Sequence, residues 1–247
     1  MNQLRSAKNI LAYFDQPDLD PESREFLYYH FQRYEYLFQI IDKTIGKLRS
    51  TNREQPLRIL DIGPGFQTEI FRRSIPNVII HTLGFQDFRF QPLPDEKHFE
   101  FDLNSAQSPG NCLELEPYDL VVMAEVIEHL YTSPALVLQC VSKWMKASGY
   151  LILQTPNACA LHKRLKMLIG KNPFDLIREK ADNPGHFREY TLSELATYTR
   201  LAGLKWVEGT TRNYFFNGSL IHKIYNSTSG ILPQGLRQGI TLILQKT

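Results

Sequence analysis

The chain has 247 residues, enough to bury a full core and most simply one domain with extensions. Hydrophobic residues at 43% beside 22% charged residues are ordinary globular usage, which excludes the disordered and fibrous classes. A net charge of +2 supplies no basic field, so nucleic acid is neither demanded nor ruled out. Three cysteines, Cys112, Cys140 and Cys159, show no metal or disulfide spacing and favour a reducing compartment. The opening residues lack a signal-peptide core and no apolar run approaches membrane-spanning length, so a soluble, cytoplasmic protein is expected.

The first predicted element is a long helix. Asp20 can cap it, Pro21 suits its first position, and Glu22 sits near the positive end of its dipole. Phe26, His30, Tyr34, Leu37, Ile41, Ile45 and Leu48 form one stripe at helical spacing, widened by Leu27, Phe31 and Phe38. The stripe predicts packing against the main domain. A lid over a substrate pocket is the sharper alternative, and the two are compatible. Residues 49–56 read as a polar linker, dividing the chain into a helical extension, 1–50, and a main domain, 51–247.

The stretch LRILDIGPGFQTEIF, from Leu57 to Phe71, follows. Its apolar start predicts a strand buried on both faces of a parallel sheet. Asp61 ends the run, and Gly63, Pro64 and Gly65 impose a tight turn before a helix over residues 67–73. Such glycines let a ligand approach the backbone closely, and in open α/β sheets ligands bind outside the carboxyl ends of the strands. A dinucleotide fingerprint would need its third glycine where Thr68 stands, so that ligand is disfavoured.

Further strands are expected at 78–83, 98–101, 120–123, 149–158, 204–213 and 239–245. Ser133 with Pro134 opens a helix between the fourth and fifth strands. Near the C-terminus Thr191 and Glu194 form a capping box, with Tyr190 stapled onto Leu195. Strands and helices alternate with short connections, as in a parallel sheet with right-handed crossovers. The phrases DIGPG, YDLVVMAEVIEHL and GYLILQTPNA, in this order and spacing, resemble the class I S-adenosylmethionine (SAM) methyltransferases over about residues 57–245. That resemblance implies a Rossmann-like α/β fold with a seven-stranded sheet in the order 3-2-1-4-5-7-6, one strand antiparallel.

The resemblance also implies a SAM site. Asp61 would face the cationic amino-acid end of the cofactor, with Gly63, Gly65 and Ala124 around it. Asp87, or Gln86 beside it, would hold the ribose, Asp102 the adenine amino group, and Leu103 an apolar face against the base. Gln67 stands where the family usually has one more glycine. Read from the residues alone, Glu125, Glu128 and His129 at i, i+3 and i+4 share one face of a helical turn. Two carboxylates and an imidazole form a plausible oxygen/nitrogen site for a divalent ion. With His186 in the segment HFREYT, the E-x-x-E-H pattern resembles two metal-dependent groups, the small-RNA 2′-O-methyltransferases and the ubiquinone-pathway O-methyltransferases. Carried over, Glu125, Glu128, His129 and His186 would bind Mg²⁺. Glutamates in a first helical turn are also favoured by the dipole alone, and without a metal His129 or His186 is the candidate general base.

The acceptor expected is a hydroxyl on a small molecule or sugar, under an amphipathic, partly basic lid insertion at 159–187. An RNA acceptor is the alternative, opposed by the near-neutral charge. A non-catalytic scaffold with this fold is the remaining alternative. Oligomeric state is not legible from the sequence.

Overall fold

Seven strands form a single sheet around the one that begins at Leu57. The structure is a computed structural model that describes residues 4–51, 55–85, 92–179, 185–215, 223, 225, 227 and 231–247. The strands are β1 (Leu57–Ile62), β2 (Val78–Gly84), β3 (His98–Glu100), β4 (Tyr118–Ala124), β5 (Met145–Pro156), β6 (Leu204–Arg212) and β7 (Gly239–Lys246). Their order is β3-β2-β1-β4-β5-β7-β6, as expected. β1 pairs in parallel with both β2 and β4, whereas β7 runs antiparallel to both β5 and β6.

Side chains alternate across β1. Leu57 and Ile59 enter one core and Leu60 and Ile62 the other, so both faces of the strand are buried. Helices α4 (Pro134–Lys143) and α6 (Leu192–Leu201) cover the face of Leu60 and Ile62 through residues such as Val137, Leu138 and Leu195. Helices α1 (Ala7–Phe14), α2 (Pro21–Thr51) and α3 (Phe66–Ser74) cover the face of Leu57 and Ile59 through Ile10, Leu37, Ile41 and Ile70.

The Asp20 cap forms, its Oδ1 accepting from the Ser23 N–H at 2.9 Å, and helix α2 continues to Thr51, into the expected linker. The stripe is buried at Leu27, His30, Tyr34, Leu37, Phe38, Ile41 and Ile45, while Phe26 at its start stays 47% exposed. Helix α1 was not expected. Ser6 caps it, and the Leu4 N–H donates to Ser74 Oγ on α3 at 2.8 Å, a partner 70 residues away that no local pattern announces.

Three expectations need correction. Ser133 precedes α4, but its side chain makes no capping bond, so the helix start rests on Pro134 and backbone geometry. Strand β5 begins at Met145, ahead of the glycine expected to open it. Cys112 and Cys140 are joined in a disulfide with their Cα atoms 5.8 Å apart, tying the loop after β3 to α4, and Cys159 is free. Their 28-residue spacing matches no local motif, because the partners meet only once α4 packs on the sheet. Among the described residues no helix is long and apolar enough to cross a membrane.

Candidate active site

The turn after β1 explains the departures from a simple glycine fingerprint. Gly63 has φ +74°, and a Cβ there would lie 2.6 Å from Val126 Cγ2, so glycine is required both by conformation and by the neighbouring β4 turn. Thr68, at the place of the missing third glycine, is fully buried. Its Oγ1 accepts from the Gly65 N–H at 3.0 Å and donates to Asp61 Oδ2 at 2.6 Å. Gln67 folds back over the turn, its Nε2 donating to the Gly63 carbonyl at 2.9 Å. The two side chains thus brace the loop where glycines would leave it soft. Asp61 itself lies beneath the turn, and its Oδ1 is buried without a partner among the described residues. Burial pushes its carboxyl up to about 7, against the opposing hydrogen bonds from Thr68 and Gln67.

A cavity of about 240 Å³ opens above this turn, lined by Phe26, Arg33, Gly63, Gly65, Ala124 and Glu125 among others. Helix α2 therefore covers the ligand end of the sheet as well as filling a core. Arg33 is the residue that sequence reasoning missed. It is 1% exposed, its Nε donates to His30 Nδ1 at 3.1 Å and its Nη1 to Gln154 Oε1 at 3.3 Å. Among the described residues no carboxylate forms an ion pair with it, although buried charges are ordinarily paired. The signal in the sequence was an arginine one position before the apolar stripe residue Tyr34. A larger cavity, about 510 Å³, lies between α6 and β6 beside Asn157, Thr191 and Trp206 and contains none of the candidate site residues.

The acidic turn after β4 departs from the expected helical face. Glu125 takes φ +58°, and only the short 3₁₀ turn Ile127–His129 follows it. A left-handed non-glycine residue costs about 1–3 kcal/mol and concentrates at functional sites. Glu125 stays close to Glu128 but outside the cluster its companions form: its side chain lines the cavity over the glycine turn, and its Oε1 is buried without a partner among the described residues. Glu128, His129 and His186 do come together, one possible ligand atom of each lying within 4.8 Å of the others. His186 reaches them because the Phe187 and Arg188 N–H groups both donate to the Glu128 carbonyl, at 2.8 and 3.2 Å.

Each member of this trio is oriented. Glu128 is fully buried; its Oε2 accepts from Thr155 Oγ1 at 2.8 Å while Oε1 has no partner among the described residues. Burial, and then the nearby Glu125, raise its carboxyl well above the usual range. His129 Nδ1 lies 2.9 Å from the Gly185 carbonyl, which can only accept, so that nitrogen carries the proton and Nε2 keeps its lone pair. His186 Nδ1 lies 3.2 Å from Glu189 Oε1, with the same consequence, and the two imidazoles meet edge to face at 4.7 Å. Burial lowers both histidines, His186 to about 4 with help from His129 and Lys163, so both are neutral near pH 7. Lys163, buried and paired with Glu189, is lowered to about 8 by desolvation.

The remaining expected contacts are placed as follows. Asp102 caps the 3₁₀ turn Leu103–Gln107, its Oδ1 accepting from the Asn104 N–H at 2.9 Å and Nδ2 at 3.0 Å. Leu103 is buried in the core beside the sheet. Asp87 and Gln86 lie outside the described residues.

Comparison with known proteins agrees with this architecture. Residues 28–208 match the family model of a methyltransferase domain. Among solved structures, a Listeria monocytogenes protein provisionally assigned as an S-adenosylmethionine dependent methyltransferase aligns with a TM-score of 0.50 at 10% identity, covering 84% of this chain and 99% of that one. A SAM dependent methyltransferase of Archaeoglobus fulgidus aligns at 0.48 and 16% identity, over 84% and 94% of the two chains. Against curated protein sequences nothing matches. With the family model spanning most of the chain and the sheet in the order 3-2-1-4-5-7-6, the protein belongs to the methyltransferase-domain family and is a class I SAM-dependent methyltransferase.

Proposed function

We propose that this protein transfers a methyl group from SAM to a hydroxyl on a small molecule or sugar, with a divalent cation held beside the acceptor. The observation that carries the reading is the trio Glu128, His129 and His186, one possible ligand atom of each within 4.8 Å of the others, with Glu128 and His129 shortly after Glu125 and Val126, which line the cavity over the glycine turn.

SAM, when bound, supplies a methyl group already activated on a sulfonium. The chain's own residues then have to bind, orient and remove one proton. The Gly63–Gly65 turn and Ala124 leave room for close approach along the ends of β1 and β4. Arg33, a buried cation without a carboxylate partner among the described residues, is assigned to the cofactor's carboxylate. Asp61 and Glu125, each with one buried oxygen unpartnered among the described residues, are assigned to its ammonium. Phe26 and Arg33 from α2 close the cavity from above and restrict water. Alignment of this kind can lower a barrier by up to about 7–11 kcal/mol.

The donor set fits a cation. Neutral imidazoles with Nδ1 held by a carbonyl or carboxylate, and Nε2 left bare, are the form in which histidine binds metals. Glu128 adds an oxygen that no other described residue satisfies. Glu128, His129 and His186 would hold Mg²⁺ or a similar ion, which lowers the pKa of a coordinated hydroxyl. Without the ion, His186 Nε2 is the proton acceptor.

Calorimetric titration tests the reading. SAM is expected to bind, and Mg²⁺ to give a second signal that Glu128→Gln abolishes. Transfer to a hydroxyl acceptor should stop in EDTA and return with Mg²⁺. Transfer that EDTA leaves unchanged would remove the cation and leave His186 as the base.

A further inference from the structure

The segment that leaves β5 is unlike the rest of the surface. Among the described residues, seven of the eighteen large hydrophobic side chains that stand exposed fall between Leu165 and Ile177. Met167, Leu168, Ile169 and Leu176 are 62%, 81%, 69% and 89% exposed. Scattered exposed apolar residues are normal, whereas a run of this density marks an interaction surface. Helix α5 (Leu161–Leu168) begins the segment, and the chain turns back on it through Gly170 and Lys171, whose N–H groups donate to the Met167 and Lys166 carbonyls.

Charge is concentrated in the same place. Residues 161–179 contain five basic residues against Asp175 and Glu179, a net +3, while the whole chain carries only +2. Lys163 turns inward onto Glu189, and Asp175 acts electrostatically on Lys163 and His186. Arg164, Lys166, Lys171 and Arg178 stay exposed, and none is in an ion pair with a described residue. The exposed side of the segment is thus apolar and cationic together. A protein partner would be expected to meet those cations with matched acids at fixed places. A fluid anionic surface meets them wherever they fall.

We propose that residues 164–178 dock the protein onto an anionic lipid bilayer. Leu168, Ile169 and Leu176 enter the boundary between headgroups and acyl chains, and Lys166, Lys171 and Arg178 lie against the lipid phosphates. The segment lies along the surface of the bilayer; among the described residues no helix is long and apolar enough to cross it. Lys163, on the inner side of the same segment, acts on His186 and stands over the Phe174 ring, so docking turns the mouth beside His186 toward the lipid.

The test is co-sedimentation of the full chain with phosphatidylcholine vesicles, with and without phosphatidylglycerol, at low and high salt. Neither SAM nor an acceptor is needed, so failure here is distinct from failure of the methyl-transfer reading. Binding is expected only with phosphatidylglycerol, weakening as salt rises. Lys166→Gln and Lys171→Gln should each weaken it about fivefold. Leu168→Glu with Leu176→Glu should abolish it while leaving the thermal melt and SAM affinity of the wild type, since both side chains are exposed and lie outside the SAM cavity. No binding to phosphatidylglycerol vesicles overturns the proposal, as does undiminished binding by the double glutamate variant. So does a wild-type dimer in light scattering that the same variant converts to monomer, which would assign the surface to a second copy of the chain.

Discussion

At the scale of single residues, two buried groups at the glycine turn, Arg33 and Asp61, carry the proposed cofactor contacts and both lead to measurable outcomes. Arg33→Met removes the only cation among the described residues that line the cavity over the turn. SAM affinity is expected to fall roughly 10- to 150-fold, the range of about 1.5–3 kcal/mol for a hydrogen bond to a charged group. Calorimetry with SAM and with decarboxylated SAM separates this from general damage, because only the carboxylate-bearing ligand should lose affinity. Asp61 predicts a pH dependence. Burial holds its folded-state value at about 7, above that of the unfolded chain, so the folded protein keeps a proton the unfolded chain has lost. Stability of the cofactor-free protein therefore falls as pH rises toward about 7 and is flat beyond it. A bound ammonium needs the carboxylate form, so SAM affinity rises as pH climbs through the same range. Titrations across that range should show the rise in the wild type and none in Asp61→Asn.

Elements owe their positions to local chemistry that substitutions can probe. The capping box of α6 forms as the sequence indicates: the Glu194 N–H donates to Thr191 Oγ1 at 3.2 Å, and Glu194 Oε2 accepts from the Thr191 N–H at 2.9 Å. Thr191→Ala should cost about 1 kcal/mol in urea unfolding. Gly63→Ala acts on the turn after β1, where a Cβ meets Val126 and the backbone is left-handed. It should destabilise by roughly 1–3 kcal/mol and abolish SAM binding in the same titration. Strands, most helix starts and the glycine turn after β1 were legible because each is written in a short window: period, cap or paired glycines. The face shared by Glu125, Glu128 and His129 was misread for the same reason. A helical spacing was assumed, but Glu125, just after β4, is left-handed and only a 3₁₀ turn follows it, and no window of sequence encodes that turn.

On the scale of the whole molecule, the Cys112–Cys140 bridge ties the loop after β3 to α4 across 28 residues. Reduction, or Cys112→Ser, should lower stability by roughly 2–4 kcal/mol, read as a lower urea midpoint with and without dithiothreitol. The order of the sheet, the two-faced core and the glycine turn after β1 follow from the sequence by itself, since alternation, short crossovers and right-handed connection leave few topologies. The placing of Arg33 over the turn, the meeting of His186 with Glu128 and His129, the docking of α1 on α3 and the disulfide were decided only by the tertiary structure. Each joins residues far apart in the chain, and their contact depends on how helices seat on the two faces of the sheet. That seating is set by the summed packing of both cores, which no local pattern contains.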